Sequence, residues 1–268
     1  MPRDYSAYET NLRVTHEGRT LTVMLHNPER MNANTEAMHT ALSRIWDDIH
    51  EDTDVDLVIF TAAGDRAFSA GGDPKHMEEM IDHKERWWRT VPEAKRIVYR
   101  MLECDKPILA RVQGHAIGFG ATLALCCDVI VAVEDVKFGD PHVRAGLACG
   151  DGGALLWAQH LGFARAKEYL FTGDLLTARE AAAIGLINHA VPRAELDAKV
   201  AELATKILRG APQAIRLTKN VMNVLLRQAA LSTMDLGMAN ETISTYSEDH
   251  RIAVRAMQRK QDPRFTGR

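Results

Sequence analysis

The sequence predicts an α/β fold followed by a helical C-terminal third. Three observations lead to it. Short, continuous apolar runs recur in the first half of the chain, in "DLVIFTAAG" (56–64), "KPILARVQG" (106–114) and "DVIVAVED" (128–135); such runs suit strands buried on both faces. Segments with helical spacing alternate with them. After about residue 155 no further strand pattern is seen, and amphipathic helical patterns take over.

Taken in order, "LTVMLHNP" (21–28) reads as a strand closed by a turn. "EAMHTALSRIWDDIH" (36–50) puts Met38, Leu42, Ile45 and Ile49 on one helical face. "TAREAAAIG" (177–185) sets Thr177 and Glu180 in a capping-box relation, with Gly185 as the stop. Three more helices are expected in 192–210, 211–228 and 248–260. The chain divides accordingly into a core, 1–192, and a helical region, 193–268. Helices this apolar need a partner surface, either the core or another subunit.

Composition sets the class. At 268 residues, 46% hydrophobic and 26% charged, the chain is an ordinary globular protein. A net charge of −3 gives no global field for nucleic acid or membranes. "MPRDYSAYETNLRV" lacks an apolar signal core, no run reaches membrane-span length, and the four cysteines form no Cys-x-x-Cys pair. A cytoplasmic protein with reduced thiols and no metal site is the expectation. "HKERWWRTVPEAKRIVYRMLE" (83–103) mixes basic and aromatic residues, but Glu85, Glu93 and Glu103 dilute the charge. It reads as a pocket wall, with Trp87, Trp88 and Tyr99 as candidate lining.

Two loops after strands hold the first candidate site: "AFSAGGDPKHM" (67–77) and "GHAIGFGATLALCCD" (114–128). Glycine turns expose backbone N–H groups, and two of these converging would bind an oxyanion. Gly72 and Phe119 are the candidate donors. The alternative is that small residues only permit tight helix–sheet packing. A phosphate loop is disfavoured, because neither Gly-x-Gly-x-x-Gly nor Gly-Lys-Ser/Thr is present.

A third loop, "FGDPHVRAGLACGDGGA" (138–154), carries one histidine, His142, and two aspartates, Asp140 and Asp151, among glycines and a proline. His142 is either an acid/base or a plain loop histidine. Asp151 either orients it or caps the helix that follows, and the two roles are compatible.

The motifs "LHNPERMNANTEAM", "AFSAGGDPKHM", "KPILARVQGHAIGFGATLALCCDVIVA", "VKFGDPHVRAGL", "TGDLLTAREAAAIGLINHAVP" and "EDHRIAVRAMQRKQDPRFTG" occur in this order over nearly the whole chain. Together they resemble the enoyl-CoA hydratase/isomerase (crotonase) superfamily. The resemblance implies a β-β-α spiral core with a C-terminal helical trimerisation region, hence a homotrimer or homohexamer. It implies an acyl-coenzyme A thioester as substrate, with coenzyme A entering only as part of that substrate and no separate cofactor. It places an enolate-stabilising oxyanion hole at Gly72 and Phe119, the latter usually glycine. Ala70, Asp73, Lys75, Thr122 and Lys260 are the substrate or coenzyme A contacts it implies.

The sequence also departs from the family. The hydratases use two glutamates, and the matching positions hold Thr122 and His142. Thr122 does not ionise near neutrality; His142 does, with an ordinary pKa of about 6.5. Crotonyl-CoA hydration is therefore expected to be at least ~100-fold weaker than in a two-glutamate relative. "DPHVRAGLACGDGGALLWAQHLG" is similar to the 6-oxocamphor hydrolase branch, which cleaves β-diketones without coenzyme A, although that branch's further histidine is replaced near Phe119. Three functions follow: a hydratase or isomerase with His142 as acid/base, a His142/Asp151 β-diketone hydrolase, or a non-catalytic acyl-CoA-binding protein.

Overall fold

A computed structural model describes residues 3–268, leaving out the side chains of residues 74 and 75. The chain opens with an antiparallel pair, β1 (Leu12–Glu17) and β2 (Thr20–Leu25), and then α1 (Glu36–Glu51). Next come β3 (Leu57–Ala62), β4 (Ala67–Ser69), α2 (Pro74–Asp82) and α3 (Lys84–Glu103). The pattern repeats as β5 (Ile108–Val112), β6 (His115–Ile117) and α4 (Phe119–Leu125), and again as β7 (Val129–Val133) and β8 (Lys137–Gly139). Then follow α5 (Gly153–Leu161), α6 (Phe163–Thr172), β9 (Leu176–Thr177), α7 (Ala178–Ala183) and β10 (His189–Val191). The chain ends in α8 (Leu196–Leu208), α9 (Pro212–Ser244) and α10 (Glu248–Arg259).

From β3 onward each pair of successive strands is split between two sheets. One sheet has the order β1-β2-β3-β5-β7-β10 and the other β4-β6-β8-β9. This is the β-β-α spiral. In the smaller sheet β4, β6 and β8 run parallel, with Ser69 opposite Ala116 and Ile117 opposite Gly139. The loops that leave these three strands therefore emerge side by side at one edge, the C-terminal ends of parallel strands, where open α/β sheets place their ligands. All three candidate loops are at that edge.

The apolar patterning accounts for the core. Met38, Leu42, Ile45 and Ile49 are fully buried on α1. Trp46 and Phe60 meet edge-on at 5.4 Å, and Phe60 meets Phe68 in the same way. Leu196, Val200, Ala204, Ala230 and Met234 of the C-terminal helices belong to the same buried cluster. Thr177 and Glu180 form the expected capping box.

Two expectations need correction. Strands do not stop near residue 155, since β9 and β10 complete the two sheets. They are only two and three residues long, too short to show a period. The helix expected in 211–228 runs on to Ser244.

Candidate functional site

The sheet edge opens into a cavity of about 380 Å³ lined by all three loops. The first loop contributes Ala70, Gly71, Gly72 and Asp73. Gly71 has φ +79, and a Cβ there would come within 2.7 Å of the Ile117 carbonyl and 3.5 Å of the Phe119 nitrogen. Only glycine lets this loop approach the second so closely. A parallel bridge to Asn34 ties down Gly72. In the second loop Gly118 (φ +56) turns the chain into α4. Phe119 is the first residue of that helix, so its N–H has no acceptor within it. Gly72 and Phe119 thus face one cavity from adjacent loops.

The third loop places His142 in a single 3-10 turn just after β8. Its imidazole lies among carboxylates. Nδ1 is hydrogen-bonded to Asp140, while Nε2 lies 3.4 Å from Asp151 and 3.9 Å from Glu241. Cys149 donates its thiol hydrogen to the other Asp140 oxygen at 2.9 Å. Asp140 is fully enclosed and His142 nearly so, with 0% and 10% of their side chains exposed. The expected His142–Asp151 contact is present, on the Nε2 side. Asp140, two residues away, takes the orienting place at Nδ1.

Glycines make room for this cluster. A Cβ on Gly153 would fall 2.0 Å from Asp140 and 2.4 Å from the Cys149 sulfur. A Cβ on Gly150 would fall 2.2 Å from the Gly237 carbonyl. The Gly150–Gly237 approach draws α9 against the loop, and Glu241, one helical turn beyond Gly237, reaches His142 as a result.

Electrostatics fix the protonation states. Burial disfavours the charged imidazolium, but Asp140 and then Asp151 outweigh it and raise the His142 pKa well above its ordinary value. Burial would raise the Asp140 pKa as well, yet the His142 charge and hydrogen bond hold it below the usual range. Glu241 goes the other way: burial and the nearby Asp151 push it up to about 8. The surroundings of His142 thus favour its cation, and those of Glu241 favour its protonated form. The sequence leads to a His142 pKa near or somewhat above the ordinary 6.5, raised by one carboxylate partner; with carboxylates facing both nitrogens it lies well above that value. Donor atoms of Asp140, His142, Cys149 and Asp151 lie within 4.8 Å of one another. Hydrogen bonds join Asp140 to both His142 and Cys149.

The remaining expected contacts are scattered. Ala70 and Asp73 line the cavity, and Asp73 is paired with Arg30 at 2.7 Å. The side chain of Lys75 lies outside the described residues. Thr122 is completely buried and directs its hydroxyl to Asp151 at 3.4 Å, so it supports Asp151 rather than touching a ligand. Asp151 is not the N-cap of α5; Gly152 is, and Asp151 accepts only a long bond from Gly153. Lys260 caps the end of α10 in a left-handed conformation, is exposed, and is absent from the cavity lining. Trp87 lines the cavity, whereas Trp88 is exposed and Tyr99 bonds to the Ala230 carbonyl.

Sequence reasoning gave Asp140 no role and missed Glu241. Asp140 was visible within "FGDPH" as a carboxylate two residues from the histidine. Glu241 had no local signal, since only the packing of α9 brings it in.

Comparison with known proteins agrees with this fold. The Enoyl-CoA hydratase/isomerase family profile matches residues 16–268. The short-chain-enoyl-CoA hydratase of Clostridium acetobutylicum is 34% identical over 214 residues, covering 80% of this chain and 81% of that protein. The crotonyl-CoA hydratase of Syntrophomonas wolfei is 34% identical over 218 residues, covering 81% and 82%. The crystal structure of an enoyl-CoA hydratase/isomerase from Mycobacterium paratuberculosis superposes with a TM-score of 0.87 at 34% identity, covering 92% of this chain and 98% of that one. With a profile match across nearly its whole length and the spiral of paired strands that the superposition shares, this chain belongs to the enoyl-CoA hydratase/isomerase family.

Proposed function

We propose that this enzyme adds water across the double bond of an α,β-unsaturated acyl-CoA thioester. The observation that carries the reading is the placement of His142, Asp151 and Glu241, with Asp140 buried behind His142, on the cavity that Gly72 and Phe119 also line. In this reading the two N–H groups receive the thioester oxygen as it gains enolate charge. Asp151, backed by the His142 cation, takes a proton from water as its oxygen bonds to the β-carbon. Glu241 delivers its proton to the α-carbon, and the proton taken from water returns to Glu241. His142 thus stands in place of a glutamate as the charge centre of the acid/base set. Asp151 and Glu241 supply the two carboxyl groups that positions 122 and 142 lack. No cofactor is required beyond the coenzyme A of the substrate, and a cytoplasmic setting suits that substrate. Among the described residues no helix is long and apolar enough to cross a membrane.

One observation favours a second reading. All three carboxyl groups near the imidazole form a single cluster around His142. A one-sided cluster also suits attack of water on a carbonyl of a β-diketone. Steady-state assays on crotonyl-CoA and on a cyclic β-diketone separate the two. Turnover of crotonyl-CoA is expected. Turnover of the diketone alone would replace the first reading with the second, and binding without turnover of either would leave an acyl-CoA-binding protein.

A homotrimer, or a pair of trimers, is the assembly we propose. Leu217, Val221 and Leu225, spaced four apart on α9, are 55%, 74% and 71% exposed, an apolar stripe too long to leave in water. Light scattering at micromolar concentration is expected to give three or six times the mass of the chain. A stable monomer would refute it.

A further inference from the structure

The cavity contains a second histidine–carboxylate pair that the hydration scheme leaves unused. His39, one turn into α1, lines the cavity and is buried. Its Nδ1 lies 3.0 Å from Glu93 on α3. Thr40 donates to the other Glu93 oxygen at 2.7 Å. Burial alone would push the Glu93 pKa up, but the hydrogen bonds from His39 and Thr40 bring it below the ordinary value. A carboxylate fixed at Nδ1 sets the orientation of the ring and leaves Nε2 as the nitrogen for a ligand. The His39 ring also packs on Phe119, with centroids 5.3 Å apart, which places it beside a residue of the oxyanion loop.

A second observation points to a ligand. Asn34, on the segment entering α1, also lines the cavity. It is 7% exposed, and neither its Oδ1 nor its Nδ2 has a hydrogen-bond partner. A buried amide with both ends unsatisfied is costly, and such groups in native structures call for an explanation. Other parts of the wall are apolar, with Met80, Trp87, Ala94 and Met238 among the lining residues. A plain hydrocarbon chain would satisfy those and leave the Asn34 amide without a partner and the Nε2 side of His39 without a ligand.

We propose that His39 and Asn34 form a polar subsite within the acyl pocket, and that the acyl group this enzyme accepts carries a carbonyl or hydroxyl oxygen along its chain. Glu93 is the positioning residue for His39. The inference rests on the acyl-CoA reading above and names the kind of acyl group.

Binding to the whole enzyme tests it. Calorimetry would compare a saturated straight-chain acyl-CoA with thioesters of equal length that carry a keto or a hydroxyl group at successive chain positions. At least one oxygenated thioester is expected to bind roughly 10- to 100-fold more tightly, the range of a hydrogen bond to a charge-assisted group. In His39→Leu that preference should collapse toward parity, and in Glu93→Gln it should fall part of the way. A merely structural role would weaken all thioesters alike and leave the ratio unchanged. Equal or weaker binding of every oxygenated thioester by the wild-type enzyme overturns the subsite while leaving the acyl-CoA reading intact, and needs no variant to be folded. A ratio retained in folded His39→Leu also overturns it. Failure of every thioester, plain or oxygenated, to bind overturns the acyl-CoA reading and the subsite with it.

Discussion

His142→Ala is expected to lower turnover by roughly three orders of magnitude, because Asp151 loses the cation that orients and backs it as the base and is disabled as an acid/base group, and also to destabilise the fold. The second effect comes from the structure. From sequence, removing His142 is expected to cost most turnover while ligand binding through the two backbone N–H groups survives. In the structure it is the one cation among Asp140, Asp151 and Glu241. Truncating one partner of a buried ion pair costs about 3–5 kcal/mol, because the other charge is left unpaired.

The dependence on pH gives the test its sign. The folded-state pKa of His142 is raised, so its contribution is fully present below the ordinary histidine value and is lost only as pH rises through the higher folded value. That of Asp140 is lowered from 3.8, so its contribution is present above 3.8 and is lost as pH falls through the lower folded value. Melting temperature should therefore fall in the wild type as pH rises above the ordinary histidine value of 6.5 toward the higher folded value of His142, and should be depressed at pH 7 in His142→Ala. An unchanged melting temperature at pH 7 would mean that the cluster relaxes or takes up water at no cost. Full turnover would remove His142 from the mechanism. His142→Gln, which keeps a donor near Asp140, should recover part of the stability and little of the turnover.

Much of the fold was legible in the sequence because its signals are local. The apolar face of α1, the buried runs of β3, β5 and β7, and the capping box at Thr177 depend on residues within one or two turns of each other. The short strands were harder. β4, β6 and β8 have only three residues each, yet these are the strands that align the three site loops. The loops themselves were found through their glycines, whose positive φ or close approach leaves a compositional mark. What could not be read was the identity of the carboxylates. Asp151 was considered because it is near in sequence, and its contact with His142 exists, but on the nitrogen opposite Asp140. Glu241 is about a hundred residues from His142 and lies on a helix whose pattern marks it as a surface for packing. Its role depends on the contact between Gly150 and Gly237, a tertiary event with no periodic signature. The expectation of a weak hydratase counts only the carboxylates missing from positions 122 and 142, and a crotonyl-CoA hydration assay tests it.

Glu241→Gln is expected to lower turnover by about 10²–10⁴-fold, the usual cost of removing a positioned proton donor, while making the protein more stable at neutral pH. The two effects have one cause. Burial and Asp151 push the Glu241 pKa from 4.5 up to about 8. Between those values the folded state holds a proton that the unfolded chain releases, so Glu241 costs more stability as pH rises from 4.5 to about 8. Glutamine keeps the shape and has no charge to suppress, so the melting temperature at pH 7 should rise by roughly 2–6 °C, and the gain should disappear near pH 4. In the wild type the donor form is the protonated acid. The rate of a donor-limited reaction should therefore hold below pH 8 and fall as pH rises through about 8, and this falling limb should be missing from whatever activity the variant retains. A Glu241→Gln enzyme that turns over within about threefold of wild type, with the alkaline limb still present, would show that the proton reaches the α-carbon from another group. A variant that loses turnover but gains no stability would show instead that Glu241 is already ionised in the folded protein. In that case the cluster would hold one proton fewer, and Asp151 and Glu241 would flank the His142 cation as two carboxylates.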